Sequence, residues 1–242
     1  MHRVRFRDPA GSIRQGEWVD GEVSFAGETY DSEEIDVLAP CEPSKIVCIG
    51  RNYAAHAAER DEELPDRPLL FLKPPNAVAG HGDTVTLPAE RYVEHEAELA
   101  VVIGEQCRHV SEDEADEVIA GYTCFDDLSN RDDQDEEQNW VRGKAFDNAA
   151  PMGPVLAPPE EVPDDARIQL RVDGETRQDS TLEHLIFSIP ELIAEITQYL
   201  TLEPGDVIAT GTPEGVGPVE DGQRVEVEIE GIGTLEHDVR QP

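Results

Sequence analysis

Between Val225 and Glu230, valine or isoleucine alternates strictly with glutamate. A strand with one buried and one solvated face satisfies that period-two pattern. Gly231-Ile232-Gly233 then supplies a tight turn into a last predicted strand at 235–239. Other strand signals are short apolar runs: 45–49 ending at Gly50, 68–73 stopped by Pro74-Pro75, and 122–127. A single strand is predicted over 93–103, opening on polar residues and closing as Leu-Ala-Val-Val-Ile. Three short strands with glycine turns (3–7, 16–19 and 22–25) precede a junction at Leu38-Ala39-Pro40. Residues 1–40 therefore read as a small N-terminal subdomain, and 43–242 as the main domain.

Helical signals are fewer. Ser188-x-x-Glu191 is a capping box with Phe187 and Leu192 at staple positions, followed by one apolar face of Leu192, Ile193, Ile196 and Leu200. Ser111-x-x-Glu114 opens a second short helix that Gly121 is expected to close. Asn52 is placed to cap an alanine-rich helix over 53–60. The acidic stretches 60–66 and 130–139 read as a mobile loop and an exposed loop. Strands outnumber helices without regular alternation, which predicts an α+β, mainly β fold rather than a doubly wound one.

The charge excludes several functions. Asp and Glu total 54 against 19 Lys and Arg, a formal net charge of -35. Neither nucleic acid nor an anionic membrane surface suits such a chain, since both need a basic face. Only Lys45, Lys73 and Lys144 stand beside sixteen arginines. An acid-rich, lysine-poor surface resembles that of proteins from a high-salt, halophilic cytoplasm, where ions screen self-repulsion. Cys41, Cys48, Cys107 and Cys124 show no zinc spacing and read as mostly buried thiols in a reducing cytoplasm. The N-terminus lacks an apolar signal core, so a cytoplasmic location is expected.

Glu96 and Glu98, two apart in a predicted strand, point to one face. Two carboxylates about 4 Å apart cost on the order of 4 kcal/mol at an effective dielectric near 20. One protonates, a cation sits between them, or they splay into solvent. Asp127, ending the next predicted strand, completes a trio. Oxygen-only ligation favours Mg²⁺, Mn²⁺ or Ca²⁺ over zinc. Among 54 acids a chance Glu-x-Glu pair is expected, so a solvated acidic face stays open. His56 and Glu59 share a helical face at i,i+3, where the carboxylate can orient the ring as a general base. Lys144, among small and apolar neighbours, suits a developing enolate or is an exposed surface lysine. The loop 210–217, which opens Thr210-Gly211-Thr212, offers backbone N–H groups and hydroxyls to a substrate carboxylate, or is a plain turn.

Ordered blocks carry a family resemblance: KIVCIGRNYAAHAAE (45–59), PLLFLKPPNAVAG (68–80), VEHEAELAVVIG (93–104), GYTCFDDLSNRD (121–132), RGKAFDNAAPMGP (142–154), and FSIPELIAEIT with LEPGDVIATGTPEGVG (187–217). Together they resemble the fumarylacetoacetate hydrolase family. The resemblance implies a mixed, rolled β-sandwich catalytic domain that forms homodimers. It implies metal ligands at Glu96, Glu98 and Asp127, usually holding Mg²⁺, and a His56–Glu59 dyad on a lid. It further implies an active-site Lys144 and a substrate-binding Thr212, with Arg51 as a weaker candidate. Asp126 stands where the family often has Asn. The implied substrates are small 2-oxo acids. Hydrolysis of a C–C bond in a 2,4-dioxo acid is favoured through the dyad. Alternatives are isomerisation or decarboxylation of aromatic-catabolism intermediates, with Arg51 or Arg142 as a second cationic contact, or decarboxylation of oxaloacetate. A non-enzymatic Ca²⁺-binding module is the other class weighed, though no EF-hand loop is present.

Overall fold

The computed structural model describes residues 1–19, 21–59 and 64–242. Five strands open it: β1 (His2–Arg7), β2 (Ile13–Val19), β3 (Glu22–Phe25), β4 (Glu28–Asp31) and β5 (Asp36–Leu38). There follow β6 (Ile46–Gly50), helix α1 (Ala54–Glu59), β7 (Leu69–Lys73), β8 (Val78–Ala79), β9 (Thr84–Thr86), β10 (Val93–His95) and β11 (Ala97–Ile103). Next come β12 (Ile119–Asp126), β13 (Ser129–Asn130), helices α2 (Arg131–Glu136) and α3 (Val141–Lys144), β14 (Ala150–Ala157), β15 (Arg167–Val172) and β16 (Glu175–Thr181). Helix α4 (Ile189–Tyr199) precedes β17 (Val207–Ala209), β18 (Gly217–Pro218), β19 (Arg224–Ile229) and β20 (Gly233–Arg240).

One large mixed sheet runs β4-β3-β2-β1-β14-β12-β11-β17-β6-β7, with β5 on β1 and β8 on β14. A five-stranded sheet, β16-β15-β19-β20-β9, lies over its middle, β15 against β11 and β20 against β14. Leu99, Phe125, Met152, Ile168, Leu170, Val227 and Leu235 fill the space between them. On the opposite face, Leu192, Ile193 and Ile196 of α4 cover Val47, Ile49, Val101 and Ile208. Each such aliphatic side chain, fully buried, contributes about 1.5–3 kcal/mol. The capping box at Ser188 and Glu191 starts α4 as the sequence predicts. Residues 1–40 extend the large sheet through β1, paired with β14 at Arg3↔Leu156, and bury Val4 and Phe6 in the same core. The mainly β, mixed-sheet architecture matches the expected fold.

Four local expectations need correction. The strand predicted over 93–103 is two strands, β10 and β11, parted at Glu96. Gly121 closes no helix. It sits inside β12 at φ +154°, where a Cβ would come 2.4 Å from Ala157 O, so close approach of β14 demands glycine. Asn52 does not cap α1; its side chain donates to Thr210 O (2.8 Å) and Phe187 O (3.1 Å) and accepts from Phe187 N (2.8 Å), tying three segments together. The stretch 130–139 is not simply exposed: Asn130, Arg131 and Asp133 are buried, and Asn130 caps α2. Of the acidic stretch 60–66, residues 60–63 lie outside the described residues.

Candidate metal centre

The break at Glu96 is a built feature. Strand β10 pairs with β13 and β18, whereas β11 pairs with β12 and β17. Glu96 N–H donates to Asp126 Oδ1 at 2.7 Å, and Glu96 O accepts from Asp127 N–H at 2.9 Å. These bonds lock the ends of β10 and β12 together. One carboxylate oxygen from each of Glu96, Glu98 and Asp127 then falls within 4.8 Å of the others, all buried. Asp126 points away from this trio, its Oδ2 lying 2.8 Å from His237 Nε2. Successive residues at a strand end diverge in this way.

The trio fits a hard divalent cation. Its donors are all oxygens. Lys73 Nζ stands 2.6 Å from Asp127 Oδ1 but directs its N–H groups to Leu128 O (3.1 Å) and Ala149 O (2.7 Å). Asp127 Oδ1 is thus held by charge rather than by an aligned hydrogen bond. Glu98 accepts from Gly211 N at 2.9 Å, yet burial, followed by Asp127 and Glu96, pushes its carboxyl well above the usual range. A cation among the three relieves that repulsion.

Cations close the other side. Lys144 Nζ donates to Glu96 Oε2 (2.8 Å), Asp127 Oδ2 (2.6 Å) and Ser129 Oγ (2.6 Å), and lies 4.9 Å from the centre of the Phe71 ring. Burial alone would lower its pKa; Asp127 and Glu96 more than reverse this, and Lys144 is held charged. Arg131 bonds Glu94 at 2.6 Å and also Glu96. Burial would raise Glu96, but Arg131 and then Lys144 outweigh it and hold the carboxylate well below its usual range.

These groups face a cavity of about 300 Å³, lined also by Arg51, His56, Leu69, Phe71, Gln134, Trp140 and Thr212. His56 is buried, with Nδ1 3.6 Å from Glu59 Oε2. Glu59 in turn accepts from Gly215 N at 3.2 Å. Of the sequence-predicted residues, Glu96, Glu98, Asp127, Lys144, His56, Arg51 and Thr212 meet at this cavity, with Glu59 behind His56. Gly211 contributes by holding Glu98. Arg142 lies outside, exposed and paired with Glu137. A second cavity of about 430 Å³, walled by Tyr122, Val162 and Ile189, contains none of these side chains. Sequence reading missed Arg131 and Gln134, which sit inside an acidic run, and Gln178 on β16. Lys73 was flagged only by the rarity of lysine.

A family model described as fumarylacetoacetate (FAA) hydrolase, C-terminal, matches residues 45–240. The chain belongs to this family. It is 42% identical over 204 residues to a mitochondrial oxaloacetate tautomerase of Bos taurus, covering 81% of this chain and 92% of that one. The crystal structure of 5-carboxymethyl-2-hydroxymuconate delta-isomerase from Mycobacterium smegmatis superposes with a TM-score of 0.91 at 39% identity, covering 100% and 99% of the two chains. Maleylpyruvate hydrolase from Sphingobium sp. SYK-6, solved with manganese(II) and pyruvate, gives 0.84 at 30% identity, covering 100% and 99%. The chain is thus an enzyme of a family with hydrolase, isomerase and decarboxylase members. No helix among the described residues is long and apolar enough to cross a membrane.

Proposed function

We propose that this chain holds one divalent cation, Mg²⁺ or Mn²⁺, at Glu96, Glu98 and Asp127 and processes small 2-oxo acids through their enolates. We further propose that the main reaction is proton transfer, a keto–enol or double-bond isomerisation of a short 2-oxo diacid of which oxaloacetate is the simplest. The carrying observation is the convergence of three buried carboxylates beside Lys144 and His56 in one cavity.

A cation bound there supplies Lewis acidity toward a 2-oxo group. The side chains supply the rest. Lys144, fixed by three acceptors, places a positive charge beside the oxygen on which negative charge develops. His56, oriented by Glu59, takes the proton from C3 and returns it there or to the oxygen. Arg51 and the Thr212 hydroxyl line the same cavity and suit substrate carboxylates. The tautomerase and isomerase relatives, at 42% and 39% identity against 30% for the hydrolase, favour proton transfer.

The second reading is hydrolysis of the C3–C4 bond of a 2,4-dioxo acid, which the His56–Glu59 pair favours. There His56 removes a proton from water as it attacks C4, releasing a carboxylic acid and the enol of a 2-oxo acid. A homodimer, implied by the family resemblance, is part of the proposal.

The test is a panel of oxaloacetate, acetylpyruvate and fumarylpyruvate, each assayed with Mg²⁺ and with chelator. Chelation is expected to abolish all turnover, and His56→Ala to lower it about a hundredfold or more with metal affinity unchanged. Equal rates with and without chelator rule out the metal role. Acylpyruvate cleavage with oxaloacetate inert moves the assignment to the second reading.

A further inference from the structure

Gln178, on β16 of the five-stranded sheet, is 1% exposed and stands behind the cavity. Its amide reaches two other chain segments, 95–97 and 212–213. Oε1 accepts from Ala97 N (3.0 Å), the residue between the two glutamate ligands, and lies 3.2 Å from His95 Nδ1. Nε2 donates to Pro213 O (2.8 Å) and to Thr212 Oγ1 (2.8 Å). Backbone chemistry fixes which end of the amide is which. A peptide N–H only donates and a peptide carbonyl only accepts, so Ala97 N requires the oxygen and Pro213 O requires the nitrogen. The loop is also seated on this strand: a Cβ on Gly215 (φ +91°) would lie 2.2 Å from Arg177 O.

This settles the polarity of Thr212. A hydroxyl has one proton. Because Thr212 Oγ1 accepts from Gln178, its proton points elsewhere, and among the described residues no acceptor takes it. Thr212 lines the cavity beside Glu98 and His56. We infer that Gln178 is a positioning residue: it makes Thr212 a dedicated hydrogen-bond donor to the carboxylate of the 2-oxo acid and ties that donor to the strand carrying the metal ligands. The inference rests on the proposed 2-oxo acid site and assigns the residue that sets its carboxylate specificity.

The test uses the full chain loaded with Mg²⁺ and titrated with oxalate by calorimetry. Variants are Thr212→Val, Thr212→Ser, Gln178→Met and the double Gln178→Met/Thr212→Val. Loss of one hydrogen bond to a charged acceptor weakens oxalate about tenfold. Thr212→Val and Gln178→Met are each expected to show that loss, Thr212→Ser to restore affinity, and the double variant to be no weaker than Thr212→Val alone. Mg²⁺ affinity without oxalate is expected to stay within about twofold, given the unaltered ligands. In the enzymatic assay KM rises with kcat largely kept. Wild-type oxalate affinity in either Gln178→Met or Thr212→Val, or strictly additive losses in the double variant, overturns the inference. Should Gln178→Met not fold, the Thr212→Val against Thr212→Ser comparison decides. Failure of Mg²⁺-loaded wild type to bind oxalate overturns the 2-oxo acid site itself, and with it this inference.

Discussion

Two stretches carry glutamate at every second position: Glu94, Glu96 and Glu98 at the junction of β10 and β11, and Glu226, Glu228 and Glu230 along β19 and its end. Their spacing is the same and their surroundings are opposite. The first three are 7%, 5% and 1% exposed, bound by Arg131, Lys144 and Gly211 N. The second three lie on the outer face, where Arg171 bridges Glu226 (3.3 Å) and Glu228 (2.7 Å) in partial contact with solvent. Water stabilises the outer row. The inner row depends on fixed cations and on whatever ion the oxygens can share. Period two states that side chains share a face; the packing on that face decides whether they form a site.

The sharpest way to break this comparison is a matched pair of substitutions. Glu98→Gln is expected to cut turnover by about a hundredfold or more and to weaken Mg²⁺ binding, as loss of a direct ligand does. Glu228→Gln should leave both unchanged and shift stability by no more than about 0.5 kcal/mol. Steady-state rates and metal titration read the pair, and equal effects would remove the distinction.

The cations give a second contrast, in stability. Arg131→Met removes the buried guanidinium that Glu94 and Glu96 share and should destabilise the fold by about 3–5 kcal/mol. Arg171→Met, at a partly exposed pair, should cost no more than about 1 kcal/mol. Denaturant unfolding measures both. A mild Arg131→Met would mean that the inner glutamates are less tightly held than their geometry indicates.

The smallest effect concerns the outer acids as a population. Raising KCl from about 0.1 to about 1 M shortens the screening length from about 10 to about 3 Å and should raise Tm by relieving repulsion among surface carboxylates. A Tm indifferent to KCl would undo the salt-adapted reading of the composition.

The sequence alone determined the strand-rich class, the capped helix α4, the family, and the residue types around the cavity, because periodicity, capping and ordered motifs are local properties. His56, Glu96, Glu98, Asp127, Lys144 and Thr212 were legible in that way. Tertiary structure decided what no local pattern encodes. It turned Asp126 to His237 and Asp127 to the trio, drew Arg131 out of an acidic run into the core, and brought Gln178 behind Thr212 from 34 residues away. The physical reason is that a side chain's neighbours across sheets, not along the chain, set its burial, its partners and hence its charge.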